Sequence, residues 1–322
     1  MKLETEGWVD RIRAGDPRAL ARAITTVENR RPESAALLKA LFPFSGRARL
    51  IGLTGSPGSG KSTLVDQLAK QYRKQGRTLG IIAVDPTSPF SGGAILGDRI
   101  RMLGHHGDSG IYIRSMATRG SLGGLARTTA DVATVLDASG KDLVLIETVG
   151  VGQDEVDIVR LADITLVVLV PGMGDDVQSI KAGIMEIADI FIINKSDREG
   201  AERVEREVRA MQSLARRSDN WVPPIVKTVA SEGIGITDLA GAIADYDAFM
   251  RQGNLALEKK IQNWRDRLVE MLRDAVLEDV LRHQMGDGAV VRYAAEVAEH
   301  KRDPYSLVED IIAGLGTNHV QH

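Results

Sequence analysis

The nonapeptide Gly55-Ser56-Pro57-Gly58-Ser59-Gly60-Lys61-Ser62-Thr63 constrains this chain more than any other stretch. It fits the spacing G-x-x-x-x-G-K-[ST], follows an apolar run over 50–54 and precedes the helix-forming segment Leu64-Val65-Asp66-Gln67-Leu68-Ala69. Strand, glycine-rich turn and helix together are the context of a phosphate-binding loop. Glycines let successive backbone N–H groups point at one anion, and the helix N-terminus adds partial positive charge. Lys61 can reach β- and γ-phosphates, and the Ser62 hydroxyl is suited to Mg²⁺. A chain built around this loop has to place it at the carboxyl end of a strand.

The rest of the chain agrees with that demand. Hydrophobic residues make up 43% but aromatics only 4%, so the core must be built from Val, Ile, Leu and Ala. That composition suits buried parallel strands covered by helices. Apolar runs at 50–54, 78–84, 143–146, 164–170, 190–193 and 225–229 read as strands, with 111–113 as an extra edge strand. Helical patterns at 62–75, 125–136, 178–187 and 201–215 separate most of them. The reading is an α/β fold, a doubly wound, mostly parallel sheet of the P-loop NTPase type, spanning 49–254.

Two helical additions flank this domain. In residues 1–48, Asp16-Pro17 reads as an N-cap followed by proline at the first helical position, and a second helix is expected over 33–41. After residue 254 the strand signal stops. Ile261, Trp264, Leu268, Leu272, Ala275 and Val276 recur at helical spacing, predicting a long amphipathic helix over 255–284. Gly286-Asp287-Gly288 breaks it, and shorter helices follow at 290–299 and 303–312. A helix of that length exceeds what one sheet face needs, so 255–322 reads either as an arm suited to homodimerisation or as a tail folded back on its own domain.

Composition also sets aside several partners. The net charge of −3 offers no global basic field for nucleic acid. Cysteine is absent, so disulfides and thiolate-bound metals are excluded. The first residues are acidic and carry no apolar leader, and the run over 164–170 is far too short to span a bilayer. The expectation is a cytoplasmic protein with neither membrane nor nucleic-acid partner.

Asn194-Lys195-Ser196-Asp197 follows the strand at 190–193 and selects the base. A carboxylate at Asp197 can accept hydrogen bonds from guanine N1–H and its exocyclic amine, whereas adenine would leave it unpaired. Lys195 can lay its stem along the base. Ser231-Glu232-Gly233, after the strand at 225–229, can offer backbone N–H groups to guanine O6. GTP and GDP are the expected ligands.

The strand at 143–146 runs into Glu147-Thr148-Val149-Gly150, where many GTPases carry D-x-x-G. Glu147 therefore stands where an Asp normally holds Mg²⁺, and Gly150 where an amide senses the γ-phosphate. Val151 occupies the place of the water-orienting Gln of Ras-like enzymes, and Gln153 lies at the wrong spacing. Asp85, ending the second strand, is a candidate for orienting water or Mg²⁺. Asp98, in a glycine-rich stretch, is a second candidate for the metal or else a solvated loop acid. Arg99, Arg101, Arg114 and Arg119 are all candidate charge stabilisers. The loop containing Asp175 and Lys181 reads either as a second moving element or as a solvated connection.

These stretches, together with Val84-Asp85-Pro86-Thr87-Ser88-Pro89-Phe90-Ser91-Gly92-Gly93 and Gly97-Asp98-Arg99-Ile100-Arg101-Met102, closely resemble the MeaB (ArgK-type) family. Those proteins are GTPase chaperones of adenosylcobalamin-dependent methylmalonyl-CoA mutase. The resemblance covers nearly the whole chain. It implies a homodimer joined through the C-terminal arms, which gates cofactor loading of the mutase and protects it. A cob(I)alamin adenosyltransferase is a further candidate partner. Carried over, Ser62, Asp98 and Glu147 would surround Mg²⁺, Asp85 would lie by the γ-phosphate, and Asn194, Asp197 and Ser231 would hold guanine. Asp175 and Lys181 would belong to a switch that communicates with the partner. Slow intrinsic hydrolysis, accelerated by the partner, is implied too, with Lys61, Asp85 and Glu147 as the catalytic set.

Two other classes stay open. A nickel-delivery GTPase of similar fold would need a His- or Cys-rich site, and His105-His106 offers only an adjacent pair that diverges on any regular element. An ATP-dependent kinase linked to amino-acid transport conflicts with the guanine-reading Asp197.

Overall fold

Seven strands form one sheet, all parallel, in the order β3-β2-β4-β1-β5-β6-β7. They are β1 (Arg49–Thr54), β2 (Leu79–Asp85), β3 (Ile111–Ala117), β4 (Leu143–Glu147), β5 (Ile164–Leu169), β6 (Ile190–Asn194) and β7 (Ile225–Thr228). The computed structural model describes residues 2–85, 107–117, 124–148, 161–172, 187–214, 217, 219–285 and 288–318. Each strand expected from an apolar run is present, including the edge strand, and the helix expected at 178–187 lies almost entirely outside the described residues. β4 and β5 consist of Leu, Val, Ile, Thr and Glu and are buried at every position, the pattern of strands covered on both faces.

Among the described residues, ten α-helices accompany the sheet. In the compact unit Met1–Lys260 they include α1 (Lys2–Arg13), α2 (Pro17–Glu28), α3 (Ser34–Leu41), α4 (Lys61–Lys74), α5 (Gly124–Ala138), α6 (Ala201–Leu214) and α7 (Ile236–Met250). On one face α4 and α7 bury Leu64, Leu68, Leu239 and Ile243 against Ile51, Leu53, Ile81 and Leu145. On the other, α1–α3 and α5 bury Ile12, Leu20, Ile24, Leu37 and Leu136 against Ile82, Val84, Val144 and Ile146. The N-terminal helices thus share a core with the sheet.

Local sequence explains the elements. Asp16 caps α2, its carboxylate accepting from the N–H groups of Arg18 and Ala19 at 2.9 and 3.1 Å, with Pro17 at the first helical position. The helix α1, which no periodicity announced, is held by burial of Val9 and Ile12 and by the Trp8 indole N–H donating to the Ala19 carbonyl at 3.0 Å. Asp137 at the end of α5 accepts from the backbone N–H groups of Gly46, Arg47 and Ala48, fixing the entry into β1.

The described residues of the unit Ile261–His322 are mostly helical. Most of α8 (Leu255–Asp279) lies in it, and it continues through a π-helical segment (Val280–Met285), α9 (Ala289–Ala298) and α10 (Pro304–Asn318). The sequence anticipated one helix as far as 284; its last turn is wound as π instead. Along its 25 residues α8 has none that is buried, and Ile261, Leu268, Val269 and Leu272 are more than half exposed.

Candidate functional site

β1 stands between β4 and β5, and the chain turns from one half of the sheet to the other around it. Such a switch point opens a crevice outside the carboxyl ends of the strands. The loop 55–60 lies there. Gly55 takes φ +144°, and a Cβ on it would come within 2.2 Å of the Val168 carbonyl oxygen. Gly60, at φ +93°, starts α4, and a Cβ there would lie 2.3 Å from the Asn194 amide nitrogen. The motif glycines are thus required by neighbours on β5 and β6 as well as by the turn.

Lys61 and Ser62 occupy the first turn of α4 and are both buried. The Lys61 ammonium donates to the carbonyls of Gly55 and Ser56 at 2.6 and 3.1 Å, so it lies over the concave side of its own loop. The Ser62 hydroxyl donates to Glu147 Oε1 at 2.6 Å. Glu147 ends β4, is 4% exposed, and approaches α4 because β4 pairs directly with β1. A hydroxyl and a carboxylate at a helix N-terminus are hard oxygen donors of the kind Mg²⁺ takes, so these two residues could hold it. Next to them Thr148 donates its backbone N–H to the Leu53 carbonyl at 3.0 Å.

Asn194 reveals a role that the sequence did not disclose. It is 2% exposed, and its amide N–H₂ donates to the Ser59 carbonyl at 2.8 Å. Its carbonyl oxygen accepts from the Thr228 hydroxyl and the Ala230 N–H, each at 3.1 Å. One buried side chain therefore ties the phosphate loop to β6 and to the loop after β7. Lys195, in left-handed backbone at φ +56°, donates to the Gly58 carbonyl at 2.7 Å. Asp197 is exposed two residues further on, clear of these bonds. Ser231, Glu232 and Gly233 form a tight turn, with the Glu232 N–H on the Val229 carbonyl at 3.0 Å and a bridge between Val229 and Ile234. The only sequence signal for the Asn194 strut was its place between strand and turn.

Other candidates fall elsewhere. Asp85 ends β2 in register with Ala117, and its backbone alone is described. Asp98, Arg99, Arg101, Arg119, Gly150, Val151, Gln153, Asp175, Lys181 and the pair His105-His106 lie outside the described residues. Arg114, a candidate charge stabiliser, forms an ion pair with Glu28 of α2 instead. It lies on the sheet face that the N-terminal helices cover.

Near the amino ends of the strands, charges are also paired. Asp189, which precedes β6 and is 1% exposed, accepts from the Thr165 N–H at 2.9 Å, Arg217 at 3.0 Å and Lys259 at 2.8 Å. Burial opposes ionisation of Asp219, but the Arg217 guanidinium and the Trp221 N–H outweigh it and hold that carboxyl below the usual carboxylate range. Burial raises Asp247 despite Arg49 at 2.9 Å, and it pushes the Tyr72 phenol up to about 12.

Comparison with known proteins fits this arrangement. The profile of the family described as "Methylmalonyl Co-A mutase-associated GTPase MeaB" matches residues 20–286. A Pyrococcus abyssi protein named as a candidate GTPase is 46% identical over 316 residues, covering 95% of this chain and 96% of its own. The mouse "Methylmalonic aciduria type A homolog, mitochondrial" is 36% identical over 315 residues, covering 88% of this chain and 74% of its own. A solved structure titled "LAO/AO transport system kinase" superposes with a TM-score of 0.72 at 26% identity, covering 98% of this chain and 99% of that one. With the family profile spanning most of the sequence and relatives of 36–46% identity covering most of its length, this chain belongs to the MeaB family of GTPases.

Proposed function

We propose that this chain binds GTP at the β1–α4 loop, hydrolyses it slowly, and uses the cycle to gate cofactor loading of an adenosylcobalamin-dependent methylmalonyl-CoA mutase. The observation that carries the reading is the Asn194 strut, which joins the phosphate loop to the two loops expected to read guanine. Family membership supplies the partner, since the family is described by its association with that mutase.

In this reading Lys61 leaves the Gly55 and Ser56 carbonyls for the β- and γ-phosphate oxygens and neutralises charge that spreads on them in the transition state. Ser62 and Glu147, with Asp98 as a third candidate, would hold Mg²⁺, which when bound would supply Lewis-acid neutralisation of phosphate charge. Asp85, at the end of β2, orients the attacking water and accepts its proton. Asp197 pairs with the guanine N1–H and amine, Lys195 flanks the base, and the turn Ser231–Gly233 presents N–H groups to O6. Val151 in place of a water-orienting Gln supports a slow basal rate that the partner raises. The loop with Asp175 and Lys181 serves as the switch that the mutase senses.

The arm acts as a homodimer interface. Exposed Ile261, Leu268, Val269 and Leu272 on α8 form an apolar stripe of the kind that a second copy would cover. A cytoplasmic setting fits, since no described helix is long and apolar enough to cross a membrane. An ATP-dependent kinase reading is disfavoured by Asp197, which suits guanine. Mixing the purified chain with methylmalonyl-CoA mutase and following phosphate release tests the proposal. Accelerated GTP turnover and a stable complex are expected; neither appearing would sink it.

A further inference from the structure

Charge is distributed unevenly along this chain. Residues 10–49 contain nine basic and four acidic side chains, a net charge of +5, although the whole chain carries −3. The remainder therefore carries −8. Eight of the nine basic residues are arginine, in α1, α2, the connection from α2 to α3, the turn into β1 and the start of β1, and the ninth is Lys39 of α3. Arg13, Arg18, Arg22, Arg31, Lys39 and Arg47 are all exposed, and none of them forms an ion pair among the described residues.

Two of these arginines are held by rings. The Arg22 guanidinium lies 4.8 Å from the centroid of Trp8, and that indole is itself fixed by its bond to Ala19. The Arg13 guanidinium lies 3.9 Å from the centroid of Phe44. Stacking limits the rotamers of both forks and so lowers the entropy cost of ordering them on a partner. Phe42, 55% exposed in the same turn, adds apolar contact area. The solvent face of α2 presents Arg18 and Arg22 one turn apart.

We infer that the arginine-rich face of α1–α3 docks an acidic surface of the partner mutase, an inference that rests on the function proposed above. Guanidinium forks pair with carboxylates in two parallel hydrogen bonds, and arginine with aromatic residues is the composition enriched at protein interfaces. An anionic bilayer would call for an amphipathic face with several inserted apolar side chains, which the exposed stripe of α2 lacks. The acidic remainder of the chain would repel a nucleic acid or bilayer that extended past the patch. The surface is also tied to the sheet. Glu28 at the end of α2 forms its ion pair with Arg114 of β3, which runs beside β2 toward Asp85. A partner bound on α2 therefore bears on the strand next to the one that ends in the proposed water-orienting acid.

The test measures binding of the full chain to purified methylmalonyl-CoA mutase by calorimetry, at about 50 mM and about 300 mM salt. Arg13→Glu with Arg22→Glu should weaken binding about tenfold or more and flatten its salt dependence. GTP affinity and the circular dichroism spectrum should stay as in the wild type. Arg18→Glu with Arg31→Glu, which touches neither ring, should act in the same direction and guards against misfolding of the first variant. Arg13→Lys with Arg22→Lys, which keeps the charge but loses the forks, should recover only part of the affinity. Equal affinity of wild type and both reversed variants for the mutase would overturn the docking surface and leave the chaperone reading intact. Failure of the wild type to bind the mutase at all would overturn both. Binding to phosphatidylserine vesicles or to duplex DNA that the same reversals abolish, with mutase affinity unchanged, would replace the acidic protein surface by that ligand.

Discussion

Asp189 and Lys259 form a buried pair whose two halves should not cost the same to remove. The Lys259 ammonium donates to Asp189 Oδ2 at 2.8 Å, to the Asp163 carbonyl at 2.8 Å and to the Tyr246 hydroxyl at 3.0 Å. The Asp189 side chain is 2% exposed and that of Lys259 26%. Lys259→Met removes the ammonium but leaves Asp189 with Arg217 and the Thr165 N–H, so the carboxylate stays compensated. A hydrogen bond between charged groups contributes about 1.5–3 kcal/mol, and partial exposure of the lysine places the cost near the lower half of that range, about 2 kcal/mol. Asp189→Ala instead leaves Lys259 without its anion and the Thr165 N–H without its acceptor, while Arg217 keeps only Asp219, at 2.7 Å. Uncompensated buried charge of that kind costs about 3–5 kcal/mol. The aspartate variant should therefore be the less stable by about 2 kcal/mol.

Trp221 reports on this network directly. Its indole N–H donates to the Asp189 carbonyl at 2.8 Å, and its ring lies 5.1 Å from Tyr246 and 4.8 Å from Phe249. In a background with Trp8→Phe and Trp264→Phe it is the sole tryptophan, so urea unfolding followed by its emission reads the unit Met1–Lys260 without mixing in the arm. Equal costs for the two substitutions, or a Lys259→Met cost below about 0.5 kcal/mol, would refute the assignment of Asp189 as the anion that two cations share.

Asn194→Ala should lower stability by about 2–3 kcal/mol, because the Ser59 carbonyl, the Thr228 hydroxyl and the Ala230 N–H all lose a buried partner. It should weaken GTP binding as well, and calorimetry showing unchanged affinity would deny the strut its role. Asp197→Asn should reduce GTP affinity by about a hundredfold while favouring xanthosine triphosphate; competition titrations with both nucleotides check it. Acid should destabilise the fold through Asp142 and Asp219. For both, burial raises the pKa but is outweighed, by the Thr78 N–H and hydroxyl with Arg77 for Asp142 and by Arg217 with the Trp221 N–H for Asp219. Their contribution is complete above the ordinary value of 3.8 and is lost as pH falls through their lower folded values. Asp247, raised by burial, has the opposite sign and partly offsets that loss. Melting curves from about pH 6 to about pH 3 should show a shallower decline for Asp219→Asn, and an unchanged profile would rule Asp219 out.

What the sequence disclosed, and what it withheld, follows from the range of the forces involved. β5 was legible because Ile164 to Leu169 is a short run of apolar and β-branched residues, and every one of them is buried. The phosphate loop was legible because its glycines answer to a local turn. α1 was not, since Trp8, Val9 and Ile12 are too few to set a period and become a helical face only once Ala19 and α3 are beside them. Arg114 looked free to serve a phosphate because nothing local reveals a partner 86 positions earlier, at Glu28. Asn194 was placed correctly between strand and turn, but its bond to Ser59 spans 135 positions. Pairings at such range depend on strand order, which periodicity does not contain.

Glu147 is where these two kinds of information meet. Its position after an apolar strand is local, whereas its bond to Ser62 depends on β4 lying next to β1. Many GTPases place a shorter Asp there, so Glu147→Asp tests whether the extra methylene matters. Removing it draws the carboxylate back by about 1.5 Å. The 2.6 Å bond from Ser62 would then stretch toward 4 Å, beyond hydrogen-bond range, unless α4 moves. Breaking a buried bond to a charged acceptor costs about 1.5–3 kcal/mol, so the substituted chain without nucleotide should melt lower. With GTP and Mg²⁺ the loss should shrink, because a water molecule could bridge the shorter carboxylate to a metal held beside Ser62. The discriminating quantity is the difference in melting temperature between the two chains with and without GTP and magnesium. A difference that GTP and magnesium leave unchanged would mean that Glu147 acts only as a structural acceptor for Ser62 and that the metal is held by other residues.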